Sequence, residues 1–189
     1  MKFLCLMFAF LPLAAAGQAN FHAFDSYEDL IEGGKAHTLV MDAGHEHLLT
    51  RVPRGYSVIV ENETRSVVFK DNAGSNSIAI CVTTNSPGAM PDDDTLRARA
   101  LAANPGGSVL QTSGCATGYK QARFVDTVRS LDPRHSIRTR HAFVACPEGM
   151  VEFILTSKDE AFEKGRMIFN LFLSSFRVEM IREQEKPER

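Results

Sequence analysis

Phe162, Gly165, Ile168, Phe169, Phe172 and Phe176 fall on one face of a helix near the C-terminus. An apolar stripe of that width has to be buried against another apolar surface. The chain supplies one just upstream, as a succession of short apolar segments separated by turn residues, the signature of a sheet. A sheet with a helix laid across one face is therefore the first expectation. Gly165 would let the two approach closely, despite the low helix propensity of glycine. Ser157, with Glu160 three residues on, reads as a capping box for the same helix.

The strand-like segments are 38–42 and 47–52, joined through Ala43 and Gly44, then 56–61 and 66–70 after the Pro53-Arg54-Gly55 turn. In 78–83, Ile78, Ile80 and Val82 alternate with Ala79 and Cys81, a period of two with one core-facing side. Further extended segments are expected at 108–113, 121–129, 136–146 and 150–156, with turns at Asp132-Pro133 and Pro147-Glu148-Gly149. Short connections between them predict mainly antiparallel pairing. A second helix is expected from Asp92-Asp93-Asp94 to Ala103, its aspartates at the positive end and Leu96, Ala100 and Ala103 on the inner side. Residues 27–32 read as a helical turn capped by Ser26, with Asp29 at its third position.

Residues 1–19 have the layout of a cleavable signal peptide: Lys2, an apolar run from Phe3 to Ala16, then small residues, with cleavage after Ala19 or after Ala16. That places the mature chain in the secreted or periplasmic space. No cysteine follows the small-residue segment, so no lipid anchor is expected, and no later run is long enough to cross a membrane. Residues 20–181 are read as one α/β domain and 182–189 as a charged flexible tail. The formal charge of −2 falls by one with Lys2, and so balanced a chain has no general drive towards nucleic acid or acidic lipid. Cys81, Cys115 and Cys146 remain. In an oxidising compartment Cys115 and Cys146, which flank the central extended region, are the expected disulfide, leaving a thiol that is buried or pairs with another chain.

The late strand Met150-Val151-Glu152-Phe153-Ile154-Leu155-Thr156, leading to a helix that ends Phe172-Leu173-Ser174-Ser175-Phe176, resembles the PsbP-like α/β/α sandwich. So does Val52-Pro53-Arg54-Gly55-Tyr56-Ser57-Val58, with Tyr56 where relatives often carry tryptophan. The resemblance covers residues 38–178 and implies a mainly antiparallel sheet covered by helices. Its members include photosystem-associated extrinsic proteins, a nuclear-transport factor and bacterial envelope proteins, which implies protein binding without naming a partner.

Several constellations offer chemistry. His45 and His47 would share one face of a strand, with Glu46 opposite and His37 across the hairpin, a partial metal-ligand set whose plainer reading is a hydrogen-bonded histidine cluster. Cys81, Cys115 or Cys146 with His135 or His141 would supply a thiol nucleophile and base. Gly-x-Ser-x-Gly, Walker A and dinucleotide fingerprints are absent. Arg138 and Arg140 would point to one side of an extended segment and receive an acidic partner, or else decorate a solvated sheet edge. Asn62-Glu63-Thr64 fits a glycosylation acceptor in a eukaryotic host. The expected function is a secreted or periplasmic protein-binding or accessory module. It would need no cofactor and would take an envelope or extracellular protein as partner. The alternatives are an extracytoplasmic hydrolase or thiol enzyme and a structural envelope protein.

Overall fold

Burial along the strand at 149–158 sets the architecture, because residues on both of its sides are covered and it must lie between two layers. The computed structural model describes residues 21–30, 33–43, 45–61, 63–84, 89–147 and 149–181. The predicted leader, the charged tail and Asn62 of the acceptor triplet lie outside the described residues. In chain order the elements are β1 (His22–Asp29), β2 (Lys35–Ala43), β3 (Glu46–Arg51), β4 (Tyr56–Glu61), β5 (Ser66–Asp71), β6 (Asn76–Thr84) and α1 (Asp93–Ala103). They continue with β7 (Ser108–Ala116), β8 (Gln121–Asp132), β9 (His135–Cys146), β10 (Gly149–Lys158), α2 (Phe162–Ser174) and β11 (Arg177–Met180).

The strands form a seven-stranded sheet in the order β4-β5-β6-β10-β9-β8-β7 and a four-stranded sheet in the order β1-β2-β3-β11. Every strand pair in both sheets is antiparallel. The fold is thus a largely antiparallel α/β sandwich with helices packed on the sheet, as the sequence predicts. Val151, Phe153 and Leu155 of β10 join one core with α2 and the smaller sheet, while Met150 joins a second core beneath α1. In the main core Phe153 meets Phe176 edge-to-face at 4.9 Å and Phe172 at 6.0 Å, and Phe69 meets Phe172 at 5.0 Å. Each buried phenylalanine contributes roughly 1.5–3 kcal/mol of transfer free energy, and edge-to-face pairing adds about 0.5–1.5 kcal/mol.

Both helices fall where expected, with different entries. Asp92 caps α1 by accepting the Thr95 N–H at 2.8 Å, and Leu96 and Ala100 are its buried residues. The other two aspartates of the cluster hold arginines: Asp93 pairs with Arg123 on β8 and Asp94 with Arg97. The Ser157 capping box does not form. Ser157 lies within β10, one residue before its end, and its hydroxyl donates to the Lys158 carbonyl, while a 3₁₀ turn at Asp159–Ala161 leads into α2. The predicted helical turn at 27–32 is also corrected, because Tyr27, Glu28 and Asp29 belong to β1, paired with His37, Ala36 and Lys35 of β2; the ladder supplies backbone partners that a single turn could not.

The expected Cys115–Cys146 disulfide is absent, and Cys81, Cys115 and Cys146 are all free thiols. Cys115 lies on β7 and Cys146 on β9, with β8 between them. Two strand spacings put their backbones roughly 10 Å apart, beyond the ~7 Å that a disulfide spans.

Gly165 sits where α2 presses on the sheet. A Cβ there would stand 2.5 Å from Asn76 Oδ1 and 3.4 Å from a Leu155 methyl, and Asn76 is pinned by its own hydrogen bond to Asp71 at 2.9 Å. On helix propensity alone Gly165→Ala should stabilise by about 0.8–1 kcal/mol. We expect the opposite sign, a net loss of about 1–3 kcal/mol from overpacking, measured by urea unfolding; a gain would show that helix and sheet are not in close contact at this point.

Candidate functional site

An open site among the described residues lies where α2 ends. A cleft of about 600 Å³ is bounded by the β3–β4 connection (Arg51, Val52, Pro53, Arg54), the α2 C-terminal turn, Gly118 of the β7–β8 turn and Arg177 at the start of β11. Ser175 ties these pieces together. Its hydroxyl donates to the Phe172 carbonyl at 2.7 Å, accepts the Arg51 N–H at 3.0 Å and lies 3.2 Å from the Thr50 hydroxyl. Gly118 donates its N–H to the Leu173 carbonyl at 3.0 Å. A Cβ at Gly118 would be driven into the carbonyls of Ser174 and Phe176, 2.6 Å from the latter, so only glycine permits this approach.

The cleft combines positive charge with apolar surface. Arg51 and Arg54 are exposed and, among the described residues, no carboxylate is recorded against their guanidinium groups; Arg177 pairs with Glu28. Their position beside the α2 C-terminus suits cations, since that end of a helix carries partial negative charge. Leu171 is 72 % exposed on the helix face beside them. Nothing in the sequence joins these groups, because Arg51 and Arg177 become neighbours only through the pairing of β3 with β11.

The sequence-predicted residues lie elsewhere. Arg138 and Arg140 do share one side of β9, as their spacing requires, but β9 is an interior strand between β8 and β10, not an edge. Arg140 is 5 % exposed and forms a two-pronged pair with Asp126 at 2.7 Å, over the Phe124 ring. Arg138 stacks on Phe162 with its charge centre 4.0 Å from the ring and faces Asp159 at 3.6 Å and Glu163 at 4.0 Å. Both charges are matched within the fold.

His37 bonds Asp25 at 2.6 Å and stacks on Tyr27, while His47 bonds Asp42 at 2.7 Å. His47 faces Asp42 on β2, five residues along from His37, a separation of about 17 Å. His37 is therefore not brought together with His47, and no group of three metal-ligating side chains occurs among the described residues.

Apart from Cys115, a half-buried free thiol, the groups that could supply thiol chemistry are engaged or shielded within the fold. His135 bonds Asp132 at the exposed β8–β9 turn. His141 is completely buried beneath α1, its Nδ1 2.8 Å from Glu152 Oε1. Arg99 donates to the other Glu152 oxygen at 2.7 Å and to the Thr83 hydroxyl at 3.0 Å. Cys81 faces Glu152 across the ladder. Burial, then the Glu152 charge, pushes its thiol up to about 12, and burial, then Glu46, does the same to Cys146. At neutral pH both stay protonated and weakly nucleophilic.

No protein-family model matches the chain, and no curated protein matches it significantly. Among solved structures it is similar to cyanobacterial PsbP (CyanoP) from Synechocystis sp. PCC 6803, at 12 % identity and TM-score 0.47, covering 89 % of this chain and 98 % of that one. It is also similar to LpqN of Mycobacterium tuberculosis, described as involved in cell envelope biogenesis, at 10 % identity and TM-score 0.44, covering 83 % and 91 %. The PsbP-like resemblance read from the sequence is met by a partial likeness of fold only. No helix among the described residues is long and apolar enough to cross a membrane.

Burial by itself would raise the Glu152 carboxyl, but the His141 hydrogen bond and the nearby charges of His141 and Arg99 outweigh it and hold the group below its ordinary value. A carboxyl depressed in the folded state contributes stability above its unfolded pKa of about 4.3 and loses that contribution as pH falls through the folded value. Glu152→Gln should therefore lower the unfolding free energy at neutral pH by about 3–5 kcal/mol, with the gap to wild type narrowing in acid. Urea unfolding across pH measures this; a gap that is constant with pH would mean that the carboxylate charge is not the stabilising feature.

Proposed function

We propose that the chain is an exported accessory module that binds a partner protein outside the cytoplasm, and that the cleft at the end of α2 receives an acidic segment of that partner carrying an apolar anchor. The carrying observation is the pairing of the Arg51 and Arg54 guanidinium groups with the uncovered Leu171 side chain around one cleft. Interfaces commonly use arginine together with a buried apolar anchor, and a carboxylate-bearing segment would complement the positive rim. The leader-like residues 1–19 support export. The protonated state of Cys81 and Cys146 and the sealing of His141 favour binding over thiol catalysis.

Selection of a displayed peptide library on the folded mature chain tests the reading. Enriched peptides should combine aspartate or glutamate with a bulky apolar residue. Arg51→Glu and Leu171→Asp, both at exposed positions, should each weaken binding about tenfold or more, a change of roughly 1.4 kcal/mol, without altering the unfolding midpoint. Added salt should weaken the acidic peptides further. Peptides without acidic residues, or undiminished binding by both variants, would overturn the assignment.

A further inference from the structure

Of the four strands that border the two sheets, three carry features that discourage pairing with another chain. β7 has a bulge between Val109 and Gln111, which breaks its ladder. β1 carries Asp25, Glu28 and Asp29, and β11 is four residues long with Arg177 and Glu179 among them. Short, charged or bulged strands are the usual protection of an exposed edge.

β4 lacks all of these. Its six residues, Tyr56-Ser57-Val58-Ile59-Val60-Glu61, include one charge, at the last position, and no proline. Ile59 is 40 % and Val60 37 % exposed. Asn72 donates to the Gly55 carbonyl at 3.0 Å, which makes Gly55 and Asn72 a hydrogen-bonded pair at the start of the β4–β5 ladder. The alternation of an antiparallel ladder then turns the N–H and C=O groups of Val58 and Val60 away from β5. Among the described residues, the border of the larger sheet thus presents backbone groups without a partner between β-branched side chains.

We propose that this edge is a self-association surface, on which β4 of a second copy of the same chain pairs antiparallel about a two-fold axis through Ile59. The sequence of β4 is self-complementary in that register. Ile59 opposes Ile59 of the second copy, Val58 opposes Val60 and Val60 opposes Val58, so that each apolar side chain meets another on its own face of the sheet. Val58 and Val60 form the hydrogen-bonded pairs, and Ile59 falls at the close, non-hydrogen-bonded position. The same arrangement brings the exposed Arg54 turn of each copy beside the Glu61 and Glu63 end of the other. This charge complementarity selects a second copy over an unrelated strand, and a two-fold repeats every contact twice.

The register makes a positional prediction. Directly opposed Ile59 backbones stand about 4.5 Å apart, within reach of a disulfide. In a Cys115→Ala background, Ile59→Cys should form a disulfide-linked dimer under mild oxidation and Val60→Cys should not. Sedimentation equilibrium of the otherwise unaltered mature chain should show concentration-dependent doubling of mass, and Ile59→Lys should weaken that association at least tenfold while circular dichroism, and the unfolding midpoint measured at dilutions where the chain is a single copy, stay unchanged. The proposal is overturned if the mature chain remains a single copy across the concentration series, if the two cysteine variants cross-link equally, or if Ile59→Lys leaves the dimer intact. None of these readouts depends on occupancy of the α2 cleft.

Discussion

The packing of α2 on the centre of the larger sheet is the contact on which the other features depend. Phe172 touches both Phe69 and Phe153, and Phe176 touches Phe153 from beyond the helix end. The helix is thereby held at its C-terminal end, and at Gly165 it approaches so closely that Asn76 leaves no space for a methyl group. A helix so constrained cannot slide, so its C-terminal turn stands at a fixed place relative to the smaller sheet. The hydrogen bonds of Ser175 to Phe172 and Arg51 transmit that placement to the β3–β4 connection. Core packing in the interior thus determines the shape of a cleft on the surface.

Where charge is buried, the fold uses it internally. Arg140 lies across from Asp126 in the β8–β9 ladder and is held by both its oxygens. Arg99 reaches from α1 to Glu152 and joins that helix to the outer face of the sheet. Removing one member of such a pair leaves an uncompensated buried charge, a penalty of about 3–5 kcal/mol, so these charges are committed to the fold. Arg51 and Arg54 differ because they are exposed and have no such carboxylate among the described residues. The distinction between matched and unmatched arginine, more than the number of arginines in a stretch, separates structural charge from charge available to a ligand.

The parts of this architecture governed by local period were legible in the sequence. The stripe from Phe162 to Phe176, the alternation through Ile78, Ile80 and Val82, and the aspartate-led start of α1 all describe what neighbouring residues impose on one another. Local period misleads where pairing between distant segments decides the structure. Ser26 and Asp29 imitate a helix start, yet eight residues of β2 hold that segment extended. The cysteine pairing required Cys115 and Cys146 to be neighbours, which strand order alone decides. The Arg140–Asp126 pair was within reach, since counting back symmetrically through the β8–β9 turn brings the two residues opposite each other. The cleft was not, because its arginines belong to segments separated by most of the chain and united only by the return of β11 to β3.

The β3–β4 connection explains why the two open surfaces lie near each other and yet remain separate. The connection Val52-Pro53-Arg54-Gly55 leaves β3 in the smaller sheet and enters β4 at the border of the larger one. It therefore forms a wall of the cleft on one side and leads into the unprotected edge on the other. The Val52 N–H bonds the His37 carbonyl at 2.9 Å and the Gly55 carbonyl accepts from Asn72 at 3.0 Å, so each end of the connection is anchored to a different sheet. Gly55, at a φ of 80°, occupies the left-handed region that a bulkier residue adopts only with strain. The turn is consequently fixed by backbone geometry from both sheets at once, and the Arg54 side chain between its anchors is directed by the turn and not by any carboxylate recorded among the described residues.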